Sequence, residues 1–253
     1  ANIKIPEKIK LKDKTILITG SSSGIGAATA RLAKEYGAKV ILHGKDESEK
    51  LKSLAKELDC EYIFCDVGDR NAVDSEVKRI LEKTKKIDLL VNNVGMALDE
   101  DFFKSSQDVW DTTFQGNFFG TVYFCRAVIP VMLENKFGKI VNVSSLRGHS
   151  ELSSANRPAY SAAKAAVINL TASTAKLYGP NILVNCISPG FTLTPLSNQW
   201  SEKSRKESTN NLIGRVIEPE EIAETILFLV GDKNTAITGQ TILVDGGYSI
   251  SGK

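Results

Sequence analysis

The stretch TGSSSGIG, Thr19 to Gly26, comes directly after the apolar run KTILI, residues 14–18. Its three glycines stand at fixed spacing between a run that reads as a strand and one that reads as a helix. Gly20 lets the chain turn sharply off the strand. Gly24 and Gly26 remove side chains where the helix begins. A backbone without Cβ atoms lets a bulky anion come close, and the first turn of a helix offers free N–H groups and a positive dipole end. Together these features suit a pyrophosphate. The spacing is G-x-x-x-G-x-G, not the dinucleotide fingerprint G-x-G-x-x-G. With glycine near 7% of residues, three at one fixed spacing arise by accident in about one chain in ten of this length. Requiring a strand before and a helix after makes an accident rarer.

Outward from this turn, short runs rich in Ile, Val and Leu alternate with longer amphipathic ones. Residues 15–19, 39–43, 61–65, 87–91, 139–144, 182–188 and 241–245 read as strands that barely alternate in polarity, as expected when both faces are covered. Helices are predicted near 24–36, 47–58, 69–84, 106–133, 158–178 and 219–230. Gly37 and Gly179 follow helices, and Pro219 opens the last one. The pattern predicts an α/β fold: a Rossmann-type, doubly wound, seven-stranded parallel sheet with helices on both faces, built as one domain over 1–253. Ligands of such sheets bind beyond the carboxyl ends of the strands. The polar segment 193–217, with one Trp, leaves two readings open, a lid and a solvated insertion.

The bulk numbers narrow the function classes. The 253 residues carry a net charge of +2 with both signs interspersed, so no basic stripe points to nucleic acid. No run approaches the roughly 18 apolar residues of a membrane span, and the charged N-terminus does not read as a signal peptide. The four cysteines show no zinc spacing and read as reduced, buried thiols. A cytoplasmic protein without metal is the expectation.

TGSSSGIG resembles the cofactor turn of the short-chain dehydrogenase/reductase family, and further motifs follow in that family's order. Asp66-Val67 ends the third strand, NNVG (Asn92 to Gly95) the fourth and NVSS (Asn142 to Ser145) the fifth. YSAAK (Tyr160 to Lys164) comes next, then SPG (Ser188 to Gly190) and VDGG (Val244 to Gly247). The resemblance runs from about residue 12 to 248. Val94 stands where the family usually has Ala, and either crowds the cofactor ribose or packs deeper. The loop between Ser145 and Tyr160 is slightly longer than usual, which bears on pocket shape. It carries His149, which reads as a solvent-facing loop histidine.

Tyr160 and Lys164 lie four residues apart on a predicted helix and share a face. A phenol titrates near 10, and a nearby ammonium favours the phenolate. At about 4 Å and an effective dielectric of about 20 the pair is worth roughly 4 kcal/mol, or about three pKa units at most. The resemblance implies that Tyr160 is the general acid/base and that Lys164 lowers its pKa and holds the nicotinamide ribose. It implies that Ser145 binds the substrate oxygen, with Ser144 as fallback, and that Asn117 steadies the lysine. It also implies cofactor contacts from Gly20, Ser22, Ser23, Gly24, Ile25, Gly26, Asp66 (to the adenine), Val67, Asn92, Gly95, Pro189, Gly190, Thr192 and Thr194.

Cofactor choice is read about 20 residues past the glycine turn, where an acid marks NAD and a cation NADP. The sequence there is LHGKDES, with Gly44 at the NAD-type acidic position and Lys45 next. NADP is therefore expected, with NAD the alternative. The resulting expectation is an NADP(H)-dependent oxidoreductase interconverting a carbonyl and a secondary alcohol of a small molecule, as a tetramer or dimer. A 3-oxoacyl thioester reductase and a non-catalytic dinucleotide sensor stand as alternatives. The complete Ser145, Tyr160, Lys164 and Asn117 set argues against the sensor; the Tyr160–Lys164 pair and the Pro189-Gly190 segment argue against a Rossmann-like methyltransferase.

Overall fold

The computed structural model describes residues 9–251. Seven strands form one parallel sheet: β1 (Thr15–Ile18), β2 (Lys39–Gly44), β3 (Glu61–Phe64), β4 (Leu89–Asn92), β5 (Gly138–Val143), β6 (Ile182–Pro189) and β7 (Thr241–Val244). Their order is β3-β2-β1-β4-β5-β6-β7. Every residue of β1, β4 and β5 is buried, which is why these strands do not alternate apolar with polar residues. The order reverses between β1 and β4, and a crevice opens at such a switch point beyond the strand ends.

The helices divide between the two faces. α1 (Gly24–Glu35), α2 (Glu49–Leu58) and α8 (Pro219–Val230) bury Ala30, Leu54, Ile222 and Ile226 against one face, with Ile16, Ile18 and Val40. α3 (Arg70–Thr84), α5 (Gly120–Glu134) and α6 (Pro158–Tyr178) bury Val77, Ile80, Phe124, Val128 and Ala175 against the other, with Leu17 and Leu90. Their starts follow from sequence. The Ser48 side chain accepts from Leu51 N and that of Asp69 from Ala72 N, each satisfying an amide of a first turn. A short α7 (Glu202–Glu207) lies in the polar segment after β6.

One predicted helix is not a single α-helix. Residues 106–133 form α4 (Gln107–Phe114), a π turn (Gln115–Phe119) and α5. The extra residue in that turn places Asn117 where its amide donates to Thr113 O and Met96 O, both at 2.8 Å, and accepts from Met96 N at 3.1 Å. Gly116 gives Met96 room, since a Cβ there would lie 2.6 Å from Met96 Cε. The span Gln107–Glu134 is long and apolar enough to cross a membrane, contrary to the sequence expectation, but half of its most apolar window is buried in the fold. Phe124, Val128 and Met132 are the core residues that make it apolar.

Candidate active site

The glycine turn forms one end of a cleft of about 550 Å³ at the carboxyl ends of the strands. Gly20 and Gly24 adopt φ of +62° and +54°, conformations that favour glycine. Ser23 precedes α1 in extended backbone and makes no side-chain cap, so the first amides of a twelve-residue helix receive none from it. Gly26 does not line the cleft, contrary to expectation. It is buried beneath the turn, where a Cβ would collide with the Gly20 carbonyl. Its role is to let α1 pack against the bend.

Two residues that sequence reading passed over hold this bend. His43 Nδ1 accepts from Gly20 N at 3.1 Å, and its Nε2 lies 3.1 Å from Cys65 O. Accepting at one nitrogen and donating at the other requires the neutral ring, and burial pushes the imidazole down to about 4. Asn93 donates from Nδ2 to Thr19 O and Gly20 O, at 3.1 and 3.2 Å. Asn92 is elsewhere. It is buried under the sheet ends and donates to Asn142 Oδ1 at 2.9 Å and to Cys125 Sγ at 3.3 Å, so the expected cofactor contact is not made from the cleft wall. Val94 packs its Cγ2 against the Gly20 bend, 3.0 Å from where a Cβ would stand, and lines the cleft as well.

At the far side of the turn, Lys45 Nζ pairs with Asp66 Oδ2 at 2.9 Å. Asp66 Oδ1 accepts from Gly68 N, and this bond, then Lys45, holds its carboxyl below the usual range. Both side chains are substantially exposed and line the cleft.

Tyr160, Ser145 and Lys164 meet at the inner end. Ser145 Oγ accepts from Arg147 N at 3.1 Å, leaving its own proton free to donate. The Tyr160 hydroxyl lies close enough to Ser145 for the serine to favour its ionised form. Tyr160 N donates to the buried Asp99 carboxylate at 3.2 Å, which satisfies a first-turn amide of α6. Lys164 Nζ lies 5.9 Å from the Tyr160 ring centroid and donates to Val143 O at 3.0 Å and Val94 O at 3.4 Å. Burial pushes the phenol above its ordinary value, against the pull of Ser145, Arg157 and Arg147. Burial also lowers the Lys164 ammonium to about 8. Ser144, the fallback, also lines the cleft, but its hydroxyl donates to Lys164 O at 2.8 Å.

A family model described as enoyl-(acyl carrier protein) reductase matches residues 20–249. The chain is 38% identical over 249 residues to 3-oxoacyl-[acyl-carrier-protein] reductase FabG of Thermotoga maritima, covering 96% of this chain and all of that one. It is 36% identical to (2S)-[(R)-hydroxy(phenyl)methyl]succinyl-CoA dehydrogenase subunit BbsD of Thauera aromatica, over 95% and 98% of the two chains. A solved short chain dehydrogenase/reductase family protein superposes with a TM-score of 0.85 at 31% identity, covering 96% of this chain and all of that one. The chain belongs to the short-chain dehydrogenase/reductase family. It is therefore an oxidoreductase acting at a CH–OH or carbonyl group, and its homologues use a nicotinamide dinucleotide as cofactor.

As a short-chain dehydrogenase/reductase, the molecule offers that cofactor a cradle it fits: two positive-φ glycines, an uncapped helix start, and a Gly24 side where a Cβ would stand 3.2 Å from Thr194. The predicted residues Gly20, Ser22, Ser23, Gly24, Ile25, Lys45, Asp66, Val67, Gly95, Ser145, Tyr160, Lys164, Pro189, Gly190, Thr192 and Thr194 all line the cleft, whereas Gly26, Asn92 and Asn117 do not. The lining also includes Met96, Leu146, Arg147, Phe191, Leu196 and Trp200, none of them chosen from sequence. Segment 193–217 thus walls the cleft through Leu196 and Trp200, and a bridge between Thr192 and Ile217 closes its base. His149 is half-buried, not solvent-facing, and its Nε2 lies 3.0 Å from Ser188 Oγ.

Proposed function

We propose that this chain interconverts a carbonyl and a secondary alcohol of a small molecule with NADP(H), Tyr160 moving the proton. The observation that carries the reading is the pair of hydroxyls, Tyr160 and Ser145, side by side at the inner end of a cleft that begins at the glycine turn. The nicotinamide, when bound, supplies or accepts the hydride. Two hydroxyl donors converging on one point suit a single oxygen that gains charge as a carbonyl is reduced. Ser145 accepts from Arg147 N, and its own proton is available to that oxygen. Tyr160, held protonated by burial, is the donor in reduction. Lys164 sits on two backbone carbonyls between the cleft and the core, where it can meet the ribose hydroxyls. Asn117 acts by fixing the Met96 loop.

Lys45 supports NADP over NAD, as a cation beside Gly44 at the cleft rim. A 3-oxoacyl thioester is a second substrate reading, favoured by the name of the Thermotoga relative. Exposed apolar side chains on α6 and near α4, Leu177 at 69% and Phe103 at 95%, support a homo-oligomer. Four free cysteines support a reducing, cytoplasmic setting.

The test is nicotinamide absorbance with a panel of ketones and Tyr160→Phe. Removal of the proton donor should cost about 10²- to 10⁴-fold in turnover, with the NADPH dissociation constant little changed. Turnover that survives the substitution unchanged removes the assignment.

A further inference from the structure

Among the described residues, the substrate end of the cleft is lined by one charged side chain, Arg147; the other charged residues of the lining are Lys45 and Asp66 at the adenosine side and Lys164 beneath Tyr160. Around Arg147 the wall is apolar: Leu146, Phe191, Leu196 and Trp200. The guanidinium is held firmly. Nη2 donates to Glu207 Oε1 at 2.7 Å and Nη1 to Leu152 O at 3.2 Å. The rings of Phe191 and Tyr248 lie 5.6 and 5.9 Å from its carbon. The Tyr248 hydroxyl donates to the same Glu207 carboxylate. Four separate stretches of chain therefore converge to orient one cation.

Glu207 itself stays outside the cleft. It pairs with the guanidinium from outside a cleft that Arg147 itself lines. An arginine carries five N–H donors in a planar fork, and two have acceptors here among the described residues. The fork is pre-ordered, partly desolvated and only 23% exposed, the conditions under which it binds a carboxylate in two-pronged fashion. Its distance from the reacting pair is set by the chain, since Arg147 N donates to Ser145 Oγ.

We propose that Arg147 recognises a carboxylate on the substrate, so that the chain acts on oxo acids and hydroxy acids in preference to neutral ketones. This deepens the reading of Tyr160 and Ser145 as the reacting pair and rests on it. The carboxylate enters against Leu146 and Phe191, takes the open N–H edge of Arg147, and brings the carbonyl of the same molecule under Tyr160 and Ser145.

The experiment compares kcat/KM for oxo acids of increasing chain length with their methyl esters, at saturating NADPH, for the natural chain, Arg147→Met and Arg147→Lys. The natural chain should prefer one acid over its ester by more than about tenfold. Arg147→Met should lower kcat/KM for that acid by roughly 10- to 100-fold, mainly through KM, and change the ester by less than about threefold. Arg147→Lys should restore part of the acid preference. Equal use of acid and ester by the natural chain overturns the proposal. So does an equal loss on both in Arg147→Met, which would make Arg147 a strut for Glu207. If Arg147→Met does not fold, the acid/ester ratios of the natural chain and Arg147→Lys decide. Tyr160→Phe runs beside them: activity persisting there breaks the reading of the reacting pair while leaving the acid preference measurable.

Discussion

Among the described residues Lys164 is a buried cation with only neutral acceptors, and its cost can be measured. Burial lowers its ammonium from 10.5 to about 8. That drop corresponds to a penalty of about 3 kcal/mol whenever the group is charged in both folded and unfolded chains. Its bonds to Val143 O and Val94 O return roughly 1 kcal/mol each at most. Lys164→Met keeps the unbranched stem and a similar helix propensity but has no charge to bury. At pH 7 the variant should be more stable by about 1–2 kcal/mol, a rise in Tm of roughly 3–6 °C for a chain of this length. The sign then changes with pH. Above about 8 the folded lysine loses its proton while the unfolded one keeps it until about 10.5, so the natural chain gains stability across that window. The advantage of Met should shrink to near zero, or reverse, by pH 10.5. Calorimetry of both proteins at pH 7 and pH 10.5 reads this out. A gap that is the same at both values, or a Met variant less stable at pH 7, refutes the burial argument.

Gly26→Ala should cost about 1–3 kcal/mol in a urea titration, because the new methyl meets the Gly20 carbonyl and Asn93; it should also weaken dinucleotide binding, and an unchanged midpoint would contradict the packing role. His43 is held neutral when folded, with its pKa pushed down to about 4 from 6.5. Lowering pH from 6.5 to 4 should therefore remove about 3 kcal/mol of stability as the unfolded chain takes the proton first, a slope that His43→Gln should lack. Lys45→Asp should shift the ratio of NADPH to NADH dissociation constants toward NADH by more than about tenfold; a constant ratio would show that selection lies elsewhere.

The sheet was legible because its strands are buried on both sides, and runs such as ILI and LLV have no other economical place. The glycine turn was legible because positive φ and close approach leave their mark as glycine. What escaped depends on contacts between distant stretches. The π turn at Asn117 follows from its bonds to Met96, twenty-one residues away in sequence. Asn92 and Asn93 are chemically identical neighbours, and strand alternation sends one into the core and the other to the turn. Spacing put Tyr160 and Lys164 on one face, but the carbonyls that receive the Lys164 ammonium, those of Val143 and Val94, come from other strand ends. His43 and Arg147 looked like a strand residue and a loop residue. Their partners, Cys65 and Glu207, come from elsewhere in the chain.

The Thr192–Ile217 bridge has a consequence for how such a molecule diversifies. Because the excursion leaves and re-enters the body at adjacent points, it behaves as a cassette: lengthening it costs little closure entropy, and the strands beneath feel no strain. New side chains can be tried over the reacting hydroxyls there, provided the first residues of the excursion, Thr194 and Pro195, keep their place against Gly24.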